Sequence, residues 1–139
     1  MGSTLEYWLS RGELRKVTPN PDRATRMKED ARKRLDFYAS RKTEWPSITV
    51  EGYYEACREL MDSLLLIKGY KTQSHVATIT TCRLLNIITR DQENLMNVAR
   101  EHRNRFKYRA EEIEPELAHG LAKKLNQLFI RLEKKASCL

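Results

Sequence analysis

The sequence predicts an all-α protein, an antiparallel bundle of four main helices with short additional helices, and three observations predict it. Apolar residues recur at spacings of three and four along four long stretches, the period of a helix with one buried face. Helix-starting residues (Asn20-Pro21, Ser74, Asp91 and Glu114-Pro115) head several of the helical stretches. The 139 residues include only 5 Gly and 4 Pro, too few for the many turns of an all-β fold.

A short helix is expected around Leu5-Glu6-Tyr7-Trp8-Leu9, its apolar side docked on the domain. Asn20 as N-cap and Pro21 as first helical residue open the next, where Met27, Ala31, Leu35 and Tyr38 keep helical spacing to about Arg41. Trp45-Pro46-Ser47 reads as a break. A long helix follows over about 49–68, with Tyr54, Cys57, Met61, Leu64 and Leu65 on one stripe and Gly69 as its stop. Ser74 caps a shorter helix through Ile79, Cys82, Leu85 and Asn86. Asp91 is read as the cap of the next, which passes Leu95, Val98 and Ala99. Glu114-Pro115 opens the last helix, where Leu117, Leu121, Leu125, Leu128 and Leu132 hold the period to about Ala136. No internal repeat, linker or low-complexity tract divides the chain, so a single domain over 1–139 is expected.

Lys and Arg number 26 against 19 acids, a formal charge of +7, which favours an anionic partner such as nucleic acid or an acidic protein. Cys57, Cys82 and Cys138 lie far apart with no metal-ligand spacing, and three unpaired thiols without a signal peptide indicate a reducing cytoplasm. Cys57 and Cys82 are expected in the core. The longest apolar run, Leu64 to Ile67, is far too short to span a membrane. The five glycines are isolated, which excludes a phosphate-cradling loop. His75, His102 and His119 fall on separate predicted helices and make no metal site, so no metal and no cofactor is expected.

One segment has charge that looks aimed. Arg100-Glu101-His102-Arg103-Asn104-Arg105-Phe106-Lys107-Tyr108-Arg109 holds five Lys or Arg side chains, one acid, one amide and two aromatics. On a helix, Arg100, Arg103, Asn104 and Lys107 share one face, with Tyr108 beside it. Arg105 and Arg109 point elsewhere, and Phe106 is read as a core anchor. Guanidinium groups offer forked donors to phosphate, an amide orients a phosphate or base edge, and an exposed tyrosine stacks on a base. The plainer reading is a solvated helix end, its cations facing the negative end of the helix dipole and Glu111 or Glu112.

Several segments together resemble the HEPN domains (higher eukaryotes and prokaryotes nucleotide-binding) of small archaeal and bacterial proteins. They are Tyr7-Trp8-Leu9 with Gly12-Glu13-Leu14, Arg34-Leu35-Asp36-Phe37-Tyr38, and Tyr53-Tyr54-Glu55-Ala56 running on to Gly69-Tyr70. Arg103-Asn104 falls where that family carries an Arg-x(4–6)-His element, and the resemblance covers about residues 5–136. It implies a helical bundle, commonly a homodimer. In active members it implies a shared cleft where arginine holds the scissile phosphate of RNA and histidine moves protons at the 2′-hydroxyl, without a metal. Other members pair with a small nucleotidyltransferase in toxin–antitoxin-like modules, and others bind nucleotides, RNA or protein.

This chain departs at the histidine. The residue that follows Arg103 at that spacing is Tyr108, then Arg109 and Ala110, while His102 precedes the arginine and His119 comes too late. A phenol is a far weaker general base at neutral pH than an imidazole. The expectation is therefore a non-catalytic module that binds RNA, a nucleotide or phosphate through Arg100, Arg103, Asn104, Lys107 and Tyr108. Two alternatives stand beside it: a partner subunit of a small nucleotidyltransferase, and a divergent ribonuclease using Tyr108, His102 or a residue of a second subunit.

Overall fold

A computed structural model describes residues 4–41 and 44–138. Among them are six helices: α1 (Leu5–Ser10), α2 (Pro21–Ala39), α3 (Pro46–Ile67), α4 (His75–Leu84), α5 (Arg90–Arg109) and α6 (Pro115–Ser137). Two short strands, β1 (Leu14–Lys16) and β2 (Tyr70–Thr72), complete the elements. The chain is thus mostly helical, as its patterning predicts. No described helix is long and apolar enough to cross a membrane.

The strands correct the expectation of an all-helical chain. They pair antiparallel, Leu14 opposite Thr72 and Lys16 opposite Tyr70, and Leu14 is buried with Trp8 and Ala77. Gly12 and Gly69 sit beside them at φ +74° and +85°, a left-handed backbone that only glycine adopts without strain. Three residues per strand are too few to show alternation, which is why periodicity missed them.

α3 is the hub. It packs against α2, α4, α5, α6 and β2, and its Val50, Tyr54, Cys57, Leu60, Met61, Leu64 and Leu65 are all buried. Cys57 and Cys82 lie in the core as expected, and Cys138 is exposed. α2 reaches α6 through Arg32, which forms an ion pair with Glu133 and stands 4.9 Å from the centre of the Phe129 ring. The loop before α6 is tied to the start of α3, where Ile113 N donates to Ser47 Oγ at 2.8 Å.

Several element ends follow the sequence. Asn20 Oδ1 accepts from Arg23 N and Ser74 Oγ from Ala77 N, each at 3.1 Å, while Glu114 caps α6. Others are corrected. α3 begins sooner than expected, at Pro46 rather than near residue 49, so Pro46-Ser47 lie in its first turn, where the missing N–H of proline costs nothing. The cap of α5 is Thr89 rather than Asp91: Thr89 Oγ1 accepts from Gln92 N, and Gln92 Oε1 accepts from Thr89 N. This reciprocal pair satisfies two backbone donors, and Asp91 then lies in the first turn. Leu117 also leaves its expected stripe, since it is exposed while Leu121, Leu125, Leu128 and Leu132 are buried.

Candidate nucleic-acid interface

The five expected site residues lie on the last turns of α5, and the structure divides them by exposure. Arg103 is buried at 7% and Tyr108 is 70% exposed. Arg100 and Asn104 are half-buried and Lys107 is exposed. The stripe therefore begins inside the protein and runs out to solvent at its C-terminal end.

Its inner end faces α3. Arg103 Nη2 stands 3.2 Å from Glu55 Oε1, and Nε stands 3.9 Å from Glu51 Oε2. Arg103 Nη1 also donates to Asn104 Oδ1 at 3.1 Å. The guanidinium is thus turned onto two carboxylates instead of being held out to a ligand. The Nε atoms of Arg100 and Arg103 are both buried, with no hydrogen-bond partner among the described residues.

The outer end is open. Lys107 Nζ lies 5.7 Å from the centre of the Tyr108 ring, within range of a cation–π contact. Arg105 turns away and its Nη2 meets His102 Nδ1 at 2.9 Å. Phe106 packs on the core as a partly buried anchor. α5 ends at Ala110 with φ +54°, a left-handed conformation that strains any residue with a Cβ.

Beneath Arg103 runs a polar network that the sequence reading did not single out. Arg58 donates to Glu55 Oε2 at 3.0 Å and to Asp62 Oδ2 at 2.8 Å. Thr78 Oγ1 donates to Asp62 Oδ1 at 2.9 Å, and Tyr54 Oη lies 3.1 Å from His75 Nδ1. The signal was present: Glu51, Glu55, Arg58 and Asp62 repeat at spacings of four, three and four, a charged stripe on a helix that is otherwise largely buried. Burial raises the Glu55 carboxyl, but Arg58 and then Arg103 more than offset it and hold it below the usual range. For Asp62 burial prevails and its carboxyl lies above the usual range, despite Arg58 and the Thr78 and Thr72 hydroxyls.

His75 is pushed below the ordinary imidazole range, first by burial and then by Arg58, with Arg103 and Arg100 acting the same way and Glu55 opposing. A folded-state value below the unfolded one, about 6.5, means that protonation costs more in the fold than out of it. The full stability is present above that pH and erodes as pH falls through it. A His75→Gln chain is expected to lose less Tm between about pH 7 and pH 5.5 than wild type. His102, lowered by burial and then Arg105, keeps its own share of the loss in both. Equal losses in the two proteins would place the titration elsewhere.

No group of three or more His, Cys, Asp or Glu side chains that could hold a metal occurs among the described residues. Compared with known proteins, the chain matches no family model, no curated protein and no solved structure.

Proposed function

We propose that the chain is a non-catalytic HEPN-like module, an antiparallel bundle of four main helices, that binds RNA, a nucleotide or phosphate at the end of α5. It works as a homodimer in the cytoplasm. The observation that carries this reading is the open aromatic–cation pair: Tyr108 is 70% exposed, with Lys107 5.7 Å from its ring centre. An exposed ring stacks on a base of any identity, and an adjacent ammonium meets the phosphate beside it. Arg103 is an organising residue in this scheme, anchoring the turn from below through Glu55 and Glu51, and Asn104 accepts a hydrogen bond from it. Arg100 supplies further positive charge on the same helix. The histidine needed for the family's RNA cleavage is replaced by Tyr108.

The test is a single-stranded RNA binding assay in a salt series, comparing wild type with a Lys107→Ala/Tyr108→Ala chain. Both side chains are exposed, so folding should be spared. Wild type should bind with salt-dependent affinity and leave the RNA intact. The double variant should bind about tenfold or more weakly, as loss of one stacked base and one phosphate contact implies. Equal affinity in the two proteins removes the site from the end of α5, and cleavage by wild type overturns the non-catalytic reading.

A second reading, a protein partner such as a small nucleotidyltransferase, is favoured by one other feature. Between α5 and α6 lies an open cleft of about 500 Å³, with Leu95, Val98, Leu121 and Leu128 inside and Asp91, Lys124 and Arg131 among its polar lining. Apolar floors with charged rims suit protein side chains. Co-expression with a nucleotidyltransferase encoded beside this chain, followed by affinity capture, tests it; separate elution of the two proteins sinks it.

A further inference from the structure

We infer that the cavity between the first turn of α3 and the first half of α6 is a binding site for a small organic anion, a carboxylate or phosphomonoester with a short apolar or aromatic body. The cavity encloses about 450 Å³, within the range of small-molecule sites. It lies on α6's side of α3 and shares no lining residue with the stripe on α5.

Charge sets the sign of the ligand. Lys123, His119 and Asn126 of α6 line the cavity with Thr49 of α3, and no described lining residue is acidic. Pro46 of the first turn of α3 forms part of the wall. That helix is 22 residues long and its N-cap, Trp45, makes no side-chain cap hydrogen bond. The positive end of its dipole and the amides of Ser47 and Ile48 therefore lack the acceptor that a Ser, Asp or Asn cap would bring. The Ser47 hydroxyl accepts instead from Ile113 N, in the loop before α6.

Thr49 adds a buried polar group to the helix end. Its side chain is 1% exposed, it lines the cavity, and its Oγ1 has no hydrogen-bond partner among the described residues. A buried hydroxyl without a partner costs free energy in the empty protein, and a turn of the Thr49 side chain toward a ligand oxygen in the cavity relieves that cost. The body of the ligand has its own surface: Ala118 and Ala122 are one turn apart on α6, and Tyr53 lies opposite on α3. Small side chains on one wall and an aromatic on the other leave room for a ring or short chain.

The experiment titrates the whole protein with phenyl phosphate, benzoate and phenol, following backbone amide shifts by NMR. Either anion should perturb the first turn of α3 and residues 118–126 of α6, while phenol should not. Lys123→Glu should lower anion affinity at least fivefold, and Lys134→Glu, the same charge change near the other end of α6, should not. Thr49→Val separates a ligand contact from a merely structural orphan: it should weaken binding about fivefold and leave Tm equal or higher. No shift up to about 10 mM, where a millimolar site would be filled, overturns the inference. So do equal shifts with phenol, an unchanged affinity in Thr49→Val, or shifts confined to the end of α5. In the last case the proposed RNA site would stand and the cavity would not.

Discussion

Replacing Arg103 by alanine lowers the unfolding free energy by about 2–3 kcal/mol, measured by urea denaturation. The side chain is 8% exposed, and its loss leaves Glu55, only 21% exposed, with Arg58 as its remaining ion-pair partner among the described residues. Stranding a buried charge costs more than the intact pair contributes, because the carboxylate keeps its desolvation penalty. The partial exposure of Glu51 and the presence of Arg58 keep the loss at the lower end of what a fully buried pair would show. A companion Glu55→Gln change removes the stranded charge, so the double variant should fall short of the summed single losses by about 1 kcal/mol. A stability within about 0.5 kcal/mol of wild type would mean that the guanidinium is not held by α3. The same result guards the binding assay: weaker RNA binding by Arg103→Ala does not by itself report a lost phosphate contact.

The second large effect is steric. Gly52→Ala should destabilise the fold by about 2 kcal/mol, although alanine is the better helix former by about 1 kcal/mol. The Tyr38 ring of α2 lies on the bare backbone of Gly52 in α3, and an added methyl would overlap Cγ, Cδ2 and Cε2 of the ring. Those atoms are close to the root of the side chain, and the ring packs against the core, so it cannot swing clear without moving α2. In a Tyr38→Ala background, which lacks those ring atoms, most of the Gly52→Ala penalty should disappear. A Gly52→Ala chain as stable as wild type would show that the two helices can part without loss.

The helices were legible because their signals are local. Asn20 and Ser74 each cap within three residues, and Leu121 to Leu132 show their buried face in the spacing alone. What was not legible depends on residues distant in sequence. Leu14 becomes a strand residue only because β2 lies beside it. The ten residues from Arg100 to Arg109 were visible as a basic segment, yet the fate of each cation was not. Arg103 is drawn inward by Glu51 and Glu55, 52 and 48 residues earlier in the chain, and periodicity places residues on a face without naming what that face meets. Nothing in the sequence marked Thr49 and Tyr53 as walls of a cavity, since a cavity is a property of two packed helices rather than of either one.

The β1–β2 ribbon has a consequence for the order of assembly. Leu14 and Thr72 are partners across the whole of α2 and α3, so the ribbon closes a loop that contains both helices. Closing so long a loop is entropically costly until its contents have become compact. The α2–α3 hairpin, joined by a short connection, must therefore come together first and bring the two strands within reach. Val17 N to Gly69 O and Gln73 N to Glu13 O, at 2.8 and 2.9 Å, are then made late. With them α1 is seated and Trp8 is covered. The ribbon is a latch, and burial of Trp8 records the moment it shuts.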